Sequence, residues 1–172
     1  MSSFTAVVVT VSTRASHGAY PDRSGPVLVE LLERAGFAVD SPRVVPDGPP
    51  VADALRRACD EGYDVALTTG GTGLNPNDAT PEVTRALLRY EIPGIPEALR
   101  VAGSQKGVPT AILSRGLAGV VDRQGHRMLV VNLPGSTGGV RDGMSVLDPI
   151  LRHAVDQLRG GDHPRSEDAH PE

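Results

Sequence analysis

The chain has little sulfur and few aromatic side chains, and these shortages exclude several kinds of site. Cys59 is the only cysteine among 172 residues, so the sequence encodes no intrachain disulfide and no thiolate metal cluster. The five histidines form neither an i, i+4 pair nor a group with Cys59, which argues against a structural metal site. With no tryptophan, two phenylalanines and three tyrosines, an aromatic platform for nucleic-acid bases is not expected. This cysteine usage favours a cytoplasmic protein.

Positive charge in excess and a long apolar run are also missing. There are 17 Lys plus Arg against 21 Asp plus Glu, so no global basic field attracts nucleic acid or an anionic membrane. The apolar run from Phe4 to Val11 has no basic leader before it and is far shorter than the about 20 residues of a membrane span. No Gly-x-Ser-x-Gly elbow occurs, which disfavours covalent acyl chemistry. We therefore expect a protein that is neither secreted nor inserted in a membrane.

Apolar segments of strand type and helix type alternate along the first half of the chain. The patterns predict strands at residues 4–11, 39–45 and 63–68, and amphipathic helices at residues 27–35 and 51–58. Such alternation predicts an α/β fold with a mainly parallel sheet and helices on both faces. Ligands in such folds bind beyond the carboxyl ends of the strands. The chain length fits a single domain.

The second half continues the alternation less regularly. Thr80 is predicted to cap a helix that has Pro81 in its first turn and ends near Arg89. Further helices are expected at residues 96–106 and 137–159, the latter with a kink at Pro149, and strands at 109–113 and 128–132. The polar segment from Gly160 to Glu172 has no apolar periodicity and is predicted to be a disordered tail, which leaves residues 1–159 as the domain.

A glycine-rich loop follows the third predicted strand. Gly70, Gly71, Thr72 and Gly73 allow a sharp turn, and their successive N–H groups suit phosphate oxygens. The pattern is neither a Walker loop nor a dinucleotide fingerprint, and by itself it also fits a purely structural turn. Asp78 lies close by, where a carboxylate can hold Mg²⁺ beside phosphates or, alternatively, serve only in a turn or helix cap.

Three more polar loops are expected at the same edge of the sheet. They contain Asp47 of the Pro-Asp-Gly turn, Ser12 and Ser24 around the first strand-to-helix connection, and the segment from Gly135 to Thr137 before the last helix. Asp47 also fits a plain turn, and Ser24 also fits a helix cap. Four such loops together predict a site for a polyphosphate and a second phosphorylated, polar ligand.

These motifs, taken in order, resemble one known family. The residues that carry the resemblance are Ser12-Thr13-Arg14-Ala15-Ser16, Asp22-Arg23-Ser24-Gly25, Pro46-Asp47, Thr69-Gly70-Gly71-Thr72-Gly73, Asp78-Ala79-Thr80-Pro81-Glu82 and Leu133-Pro134-Gly135-Ser136. The chain is similar, from about Phe4 to Arg159, to the molybdopterin adenylyltransferases of molybdenum-cofactor biosynthesis, the Mog/MoaB type, and to the N-terminal domain of gephyrin.

The resemblance implies a three-layer α/β/α fold, a homotrimer, and transfer of AMP from Mg-ATP to the terminal phosphate of molybdopterin with release of pyrophosphate. By position, it assigns catalysis and Mg²⁺ to Asp47 and Asp78, and the nucleotide to Gly70, Gly71, Thr72 and Gly73. It assigns the molybdopterin substrate to Ser12, Ser24, Gly135, Ser136 and Thr137. Asn77 stands where the family often has arginine, and it cannot neutralise a phosphate charge.

Two other functions remain open at this stage. Similar domains occur in molybdenum-insertion enzymes, with which an adenylyltransferase is expected to make transient contact. A non-catalytic molybdopterin-binding or scaffold subunit is the second alternative, because a fold does not determine a function.

Overall fold

A mixed sheet of seven strands runs through the centre of the protein. The computed structural model describes residues 3–161. The strands are β1 (Phe4–Val11), β2 (Phe37–Val39), β3 (Arg43–Val45), β4 (Val65–Thr69), β5 (Tyr90–Glu91), β6 (Ala118–Arg123) and β7 (His126–Leu133). Their order is β2-β1-β4-β7-β6-β5, and β3 also pairs with β1. β1 is parallel to β2, β3 and β4, and β4 is parallel to β7. In contrast, β6 is antiparallel to both β5 and β7.

Helices connect most of these strands. They are α1 (Thr13–Ser16), α2 (Ser24–Arg34), α3 (Pro49–Asp60), α4 (Thr80–Arg85), α5 (Gly94–Gln105) and α6 (Thr137–Leu158), and a 3₁₀ helix spans Pro109–Leu113. Within residues 3–161, none of the helices combines the length and the apolar character that crossing a bilayer requires.

Alternate residues of the central strands face two separate hydrophobic cores. Ala6 and Val8 of β1 pack in one core with buried residues of α2, α5 and α6. Val7 and Val9 pack in the other core with buried residues of α3. Because successive side chains of a strand point to opposite faces, the unbroken apolar run of β1 supplies both cores. The predicted single-domain, three-layer α/β/α fold with a mainly parallel sheet is confirmed.

Two of the predicted strands are wrong in detail. Residues 39–45 form the end of β2 and the whole of β3 instead of one strand, with Pro42, which has no N–H to donate, in the break between them. Residues 109–113 form the 3₁₀ helix instead of a strand. Pro109 is the first residue of that helix. Ala111 packs closely against Gly103 of α5, since a Cβ added at Gly103 would stand 2.7 Å from the Cβ of Ala111. Packing against α5 therefore replaces strand pairing in this segment.

The hairpin of β6 and β7 is only half predicted by the sequence, since β6 is missing from the prediction. The two strands are joined by Gln124 and Gly125, whose φ values are 51° and 81°. Two central residues with positive φ are typical of the tight turns that join antiparallel strands. The Gln-Gly pair before a predicted strand is thus the signal from which the hairpin could be inferred.

Two helices begin differently from the prediction. Thr80 is the first residue of α4, with Ala79 at the cap position, and its hydroxyl donates instead to the carbonyl oxygen of Gly70 at 3.0 Å. The same helix ends at Arg85, earlier than predicted. At α2 the cap position belongs to Arg23, so the alternative role of Ser24 as a helix cap is wrong. The side chain that serves this helix start is that of Asp22, since its Oδ1 accepts from the amide of Gly25 at 2.9 Å.

The described part of the chain ends just after α6. The amides of Gly160 and Gly161 donate to carbonyl oxygens of the last helical turn. The remainder of the predicted tail, residues 162–172, lies outside the described residues. Pro149 lies inside α6, and the kink predicted there stays a prediction.

Candidate active site

Four polar loops meet at one edge of the sheet. They follow the carboxyl ends of β1, β3, β4 and β7, which are parallel and lie side by side. This adjacency brings together Ser12, Asp47, the glycine loop Gly70–Gly73 and the turn that contains Gly135. Two cavities, of about 890 and about 630 Å³, open at this edge. The location follows the general rule for parallel α/β sheets.

The larger cavity, here named the polar cleft, is lined mainly by polar groups. Its polar lining residues are Thr10, Ser12, Thr13, Arg14, Tyr20, Asp22, Arg23, Ser24, Asp47, Thr69, Asn75, Asn77 and Asp78. The guanidinium of Arg14 lies 5.3 Å from the ring centroid of Tyr20. Within residues 3–161, neither Arg14 nor Arg23 forms an ion pair with a carboxylate. Both cations are therefore available to an anionic ligand.

The smaller cavity, here named the apolar cavity, lies between α5, the 3₁₀ helix and the start of α6. Its apolar lining includes Leu74, Pro96, Leu99, Val108, Ala111, Leu113 and Pro134. The charged side chains in its wall are Arg100, Asp78 and Asp142, and Asp142 is paired with Lys106 at 2.9 Å. A volume of about 630 Å³ with mostly apolar walls suits a small organic ring system.

The two cavities share a boundary that is mostly backbone. Gly70, Gly71, Asp78 and Gly135 line both of them. Gly70 and Gly71 have φ values of 104° and 66°, which disfavour any residue with a Cβ. A Cβ added at Gly70 would stand 2.3 Å from the carbonyl oxygen of Val11, and one added at Gly135 would stand 3.2 Å from the Cα of Gly70. Gly70 and Gly71 are therefore required as glycines, and Gly135 lies in close contact with Gly70.

Only part of the glycine loop offers free amides. The amide of Gly70 donates to the carbonyl oxygen of Leu133 at 3.0 Å, and that of Gly73 donates to Oδ2 of Asp78 at 2.9 Å. Within residues 3–161, the amides of Gly71 and Thr72 have no acceptor. The predicted anion site of four residues therefore has two N–H groups ready for a phosphate oxygen, whereas the other two hold the loop in shape.

Asp47 and Asp78 both line the polar cleft, as predicted. In each carboxylate, one of the two oxygens accepts a hydrogen bond that fixes the side chain. Oδ2 of Asp47 accepts from the Thr13 hydroxyl at 2.9 Å, and Oδ2 of Asp78 accepts from the amide of Gly73. No donor within residues 3–161 contacts Oδ1 of either side chain. Oδ1 of Asp47 lies 2.8 Å from the position of a Cβ added at Gly71, so this carboxylate reaches the boundary of the two cavities.

The hydroxyls predicted for the substrate are divided between the cavities. Ser12 and the buried Ser24 line the polar cleft, whereas Ser136 lines the apolar cavity. Ser12 also caps α1 and Ser136 caps α6, where it accepts from the amide of Gly139 at 3.0 Å. Thr137 lines neither cavity. Asn77 faces the polar cleft from an exposed turn in which its amide donates to Oδ1 of Asn75 at 3.0 Å.

Arg115 supports the loop that carries Asp78 and is missing from the sequence prediction. It lies between the 3₁₀ helix and β6, and its guanidinium contacts Gly73, Asp78 and Glu82. Burial opposes ionisation of Glu82, but the hydrogen bond and charge of Arg115 outweigh it and lower the pKa of this carboxyl. No pattern in the sequence distinguishes Arg115 from the other arginines, because its partners are distant along the chain.

Comparisons with known proteins agree with this geometry. A family model described as a probable molybdopterin binding domain matches residues 7–153. The Molybdopterin adenylyltransferase of Helicobacter pylori (strain J99) is 36% identical over 159 residues, which cover 89% of this chain and 86% of the relative. The Molybdopterin biosynthesis Mog protein of Mycobacterium ulcerans has a structure with a TM-score of 0.85 and 46% identity, covering 93% of this chain and 99% of the other.

Some relatives are longer than this chain. The Molybdenum cofactor biosynthesis bifunctional protein of Synechococcus elongatus is 37% identical over 163 residues, which cover 92% of this chain but 48% of the relative. This chain therefore spans about half the length of the bifunctional relatives it matches. The resemblance inferred from the motifs is confirmed over the part that they share. The chain belongs to the molybdopterin-binding domain family of molybdenum-cofactor biosynthesis.

Proposed function

We propose that this chain is a molybdopterin adenylyltransferase, which transfers AMP from ATP to the terminal phosphate of molybdopterin and releases pyrophosphate. The observation that carries the proposal is the shared boundary of the polar cleft and the apolar cavity at Gly70, Gly71, Asp78 and Gly135. Ligands in the two cavities would meet there, as transfer of a group between two substrates requires. Relatives named Molybdopterin adenylyltransferase, between 34% and 41% identical, support it.

This reaction mainly requires that the two reacting phosphates are aligned and that their negative charge is compensated. The attacking phosphate is already an anion, so no strong general base is needed, and no histidine lines either cavity. The free amides of Gly71 and Thr72 and the cations of Arg14 and Arg23 would bind phosphate oxygens and offset their charge. Because Gly71 lies on the boundary, this stabilisation would act where the transferred phosphate changes partners.

The donor set fits Mg²⁺ as the accompanying ion. Asp47 and Asp78 each keep Oδ1 without a donor from residues 3–161, while their Oδ2 atoms are fixed by Thr13 and Gly73. The described part of the chain has no group of three or more metal-binding side chains. Mg²⁺ commonly uses one or two carboxylates and takes its other ligands from water and substrate phosphates. When bound there, the ion would neutralise phosphate charge and orient the reacting groups.

The substrate residues follow from this arrangement as proposals. Gly70, Gly71, Thr72 and Gly73 would hold the nucleotide, with the amides of Gly71 and Thr72 in direct contact. Ser12, Ser24, Gly135 and Ser136 would hold molybdopterin, whereas Thr137 lines neither cavity and its proposed contact rests on the family resemblance alone. Ser12 and Ser24 line the polar cleft and Ser136 lines the apolar cavity, so molybdopterin would contact all three only by reaching across the shared boundary at Gly135.

The proposal is tested by pyrophosphate release from ATP with purified molybdopterin, in the presence and absence of Mg²⁺. We expect turnover that requires both, and its loss in Asp47→Asn and in Asp78→Asn without a change in circular dichroism. Asp53→Asn is the control, because Asp53 lies on the exposed face of α3, lines neither cavity and pairs with nearby Arg56. Near-normal rates in both site variants would reject the roles of Asp47 and Asp78. Tight molybdopterin binding with no turnover would instead identify a binding or scaffold subunit.

We also propose that the chain forms a homotrimer. Support comes from large apolar side chains on α5 and the 3₁₀ helix that are exposed in the single chain and line neither cavity, Val101 and Ile112. Such a patch is typical of a protein interface. Sedimentation of the purified protein should give three times the chain mass, and Ile112→Asp should shift the equilibrium toward smaller species. A wild-type monomer over the micromolar range would overturn this part of the proposal.

A further inference from the structure

The loop that carries Asp78 is held at both ends by one side chain. Nε of Arg115 donates to the carbonyl oxygen of Gly73 at 2.8 Å, and Nη2 donates to the carbonyl oxygen of Asp78 at 2.9 Å. Nη1 contacts the carboxylate of Glu82 in the first turn of α4. The planar guanidinium is suited to bridge several fixed acceptors at once, which a lysine ammonium is not.

These bonds act directly on the position of Asp78. Arg115 binds the carbonyl oxygen of Gly73, while the amide of the same residue binds Oδ2 of Asp78. Between the two held points, Leu74, Asn75 and Asn77 are exposed, and the turn is closed by a hydrogen bond from the Asp78 amide to the carbonyl oxygen of Asn75. Without Arg115 this exposed turn would lose two of the bonds that hold its ends together, and more conformations would become accessible to it.

The backbone of Arg115 is itself held in place by hydrogen bonds to neighbouring segments. The amide of Arg115 donates to the carbonyl oxygen of Thr72 at 2.9 Å. Arg100, in the wall of the apolar cavity, donates to the carbonyl oxygen of Ser114 at 3.0 Å. The backbone of Ser114 and Arg115 is thus fixed to α5 on one side and to the glycine loop on the other.

Arg115 is placed to act through the loop and not on a ligand. It does not line the polar cleft or the apolar cavity, although Gly73 and Asp78 both do. All three of its guanidinium nitrogens are occupied by loop and helix acceptors. We propose that Arg115 is a positioning residue that keeps Asp78 at the boundary of the two cavities. For its effect on turnover, this inference rests on the proposed adenylyltransferase activity.

The test uses two substitutions at Arg115 and a matched control. Arg115→Gln removes the charge and the three-point contact, and Arg115→Lys keeps the charge but cannot reach all three acceptors. Arg85→Gln is the control, because Arg85 is on α4 like Glu82 but pairs with Glu91 at 2.8 Å and does not contact the glycine loop. Each variant is measured by amide hydrogen exchange over residues 72–79 and by the kcat and KM of pyrophosphate release.

We expect faster exchange of residues 72–79 in both Arg115 variants and a kcat lowered by about 10–100-fold in Arg115→Gln, the usual loss on removing a group that orients a catalytic carboxylate. The KM for molybdopterin should stay within about twofold, because Arg115 lines neither cavity. Arg115→Lys should fall between wild type and Arg115→Gln, and Arg85→Gln should match wild type in both measurements.

The inference would be overturned if amide exchange over residues 72–79 were unchanged in the Arg115 variants. It would also be overturned if these variants raised the KM without lowering the kcat. If Arg115→Gln does not fold, Arg115→Lys decides by the same two measurements. If the wild-type protein releases no pyrophosphate, the proposed function fails, and the exchange of residues 72–79 alone decides whether Arg115 holds the loop.

Discussion

Replacing Gly71 by alanine tests whether close packing at the boundary of the two cavities requires glycine. At φ 66° an L-residue is strained by about 1–2 kcal/mol. The new Cβ would also stand 2.3 Å from Oγ1 of Thr80 and 2.8 Å from Oδ1 of Asp47. Thr80 can move away only by giving up its hydrogen bond to the carbonyl oxygen of Gly70, and such overpacking costs about 1–3 kcal/mol. The free energy of unfolding should therefore fall by about 2–5 kcal/mol.

Gly62→Ala supplies the control for this prediction. Gly62 has φ 87° in the turn after α3, and a Cβ added there meets nothing within 4 Å. Its substitution should cost only the backbone strain, about 1–2 kcal/mol. The difference between the two variants then measures the steric contribution at Gly71.

Urea unfolding followed by far-ultraviolet circular dichroism suits this protein, which has no tryptophan. In thermal unfolding the loss at Gly71 corresponds to about 4–20 °C, from the usual 2–4 °C per kcal/mol for a chain of this size. Pyrophosphate release should fall in Gly71→Ala alone, because only there is Asp47 displaced. Equal losses of stability in the two alanine variants would refute the reasoning from close contacts.

Three further predictions concern residues away from the boundary. Arg159→Leu should lower the free energy of unfolding by about 1.5–3 kcal/mol in urea titrations, because the carboxylate of Asp64, 3% exposed, keeps its hydrogen bonds from Thr5 but loses those from the Arg159 guanidinium; an unchanged midpoint would contradict this. In the folded protein the pKa of Glu82 is lowered, so its carboxylate stabilises the fold fully above the ordinary carboxyl pKa of about 4.3. This contribution to the free energy of unfolding is lost as the pH falls through the lowered pKa. Glu82→Gln should therefore reduce the loss of stability on acidification, and identical acid profiles would argue against the contact with Arg115. Burial raises the pKa of the Cys59 thiol and hides it, so a disulfide reagent at pH 8 should react only after denaturant is added, and rapid reaction of the native protein would contradict its burial.

Local patterns were enough for the central parallel strands of the sheet and for the site loops. The apolar run of β1 indicates burial on both faces without any knowledge of its neighbours, because alternate side chains of a strand must face opposite sides. Parallel strands then place Asp47, Asp78 and the glycine loop at one edge, whatever the details of packing. These features depend on residues close together in sequence, which is why they could be predicted.

Features that depend on distant partners could not be predicted. Pro109–Leu113 has the composition of a strand but packs against α5, and Thr80 looks like a helix cap but donates to the carbonyl oxygen of Gly70. Arg115 contacts Glu82, 33 residues away along the chain, so no local pattern reveals it. In each case a tertiary contact supplies a partner that outweighs the local preference of the chain.

The sequence by itself determined that one α/β domain carries a glycine loop followed by Asp78. Its motifs also showed the resemblance to the molybdopterin adenylyltransferases. Only the tertiary structure decided that the amides of Gly71 and Thr72 find no acceptor among residues 3–161, that Gly70 and Gly73 use theirs to hold the loop, and that two cavities meet there. The physical reason is that motifs specify which groups are present, whereas hydrogen bonds between distant segments determine which of those groups remain available to a ligand.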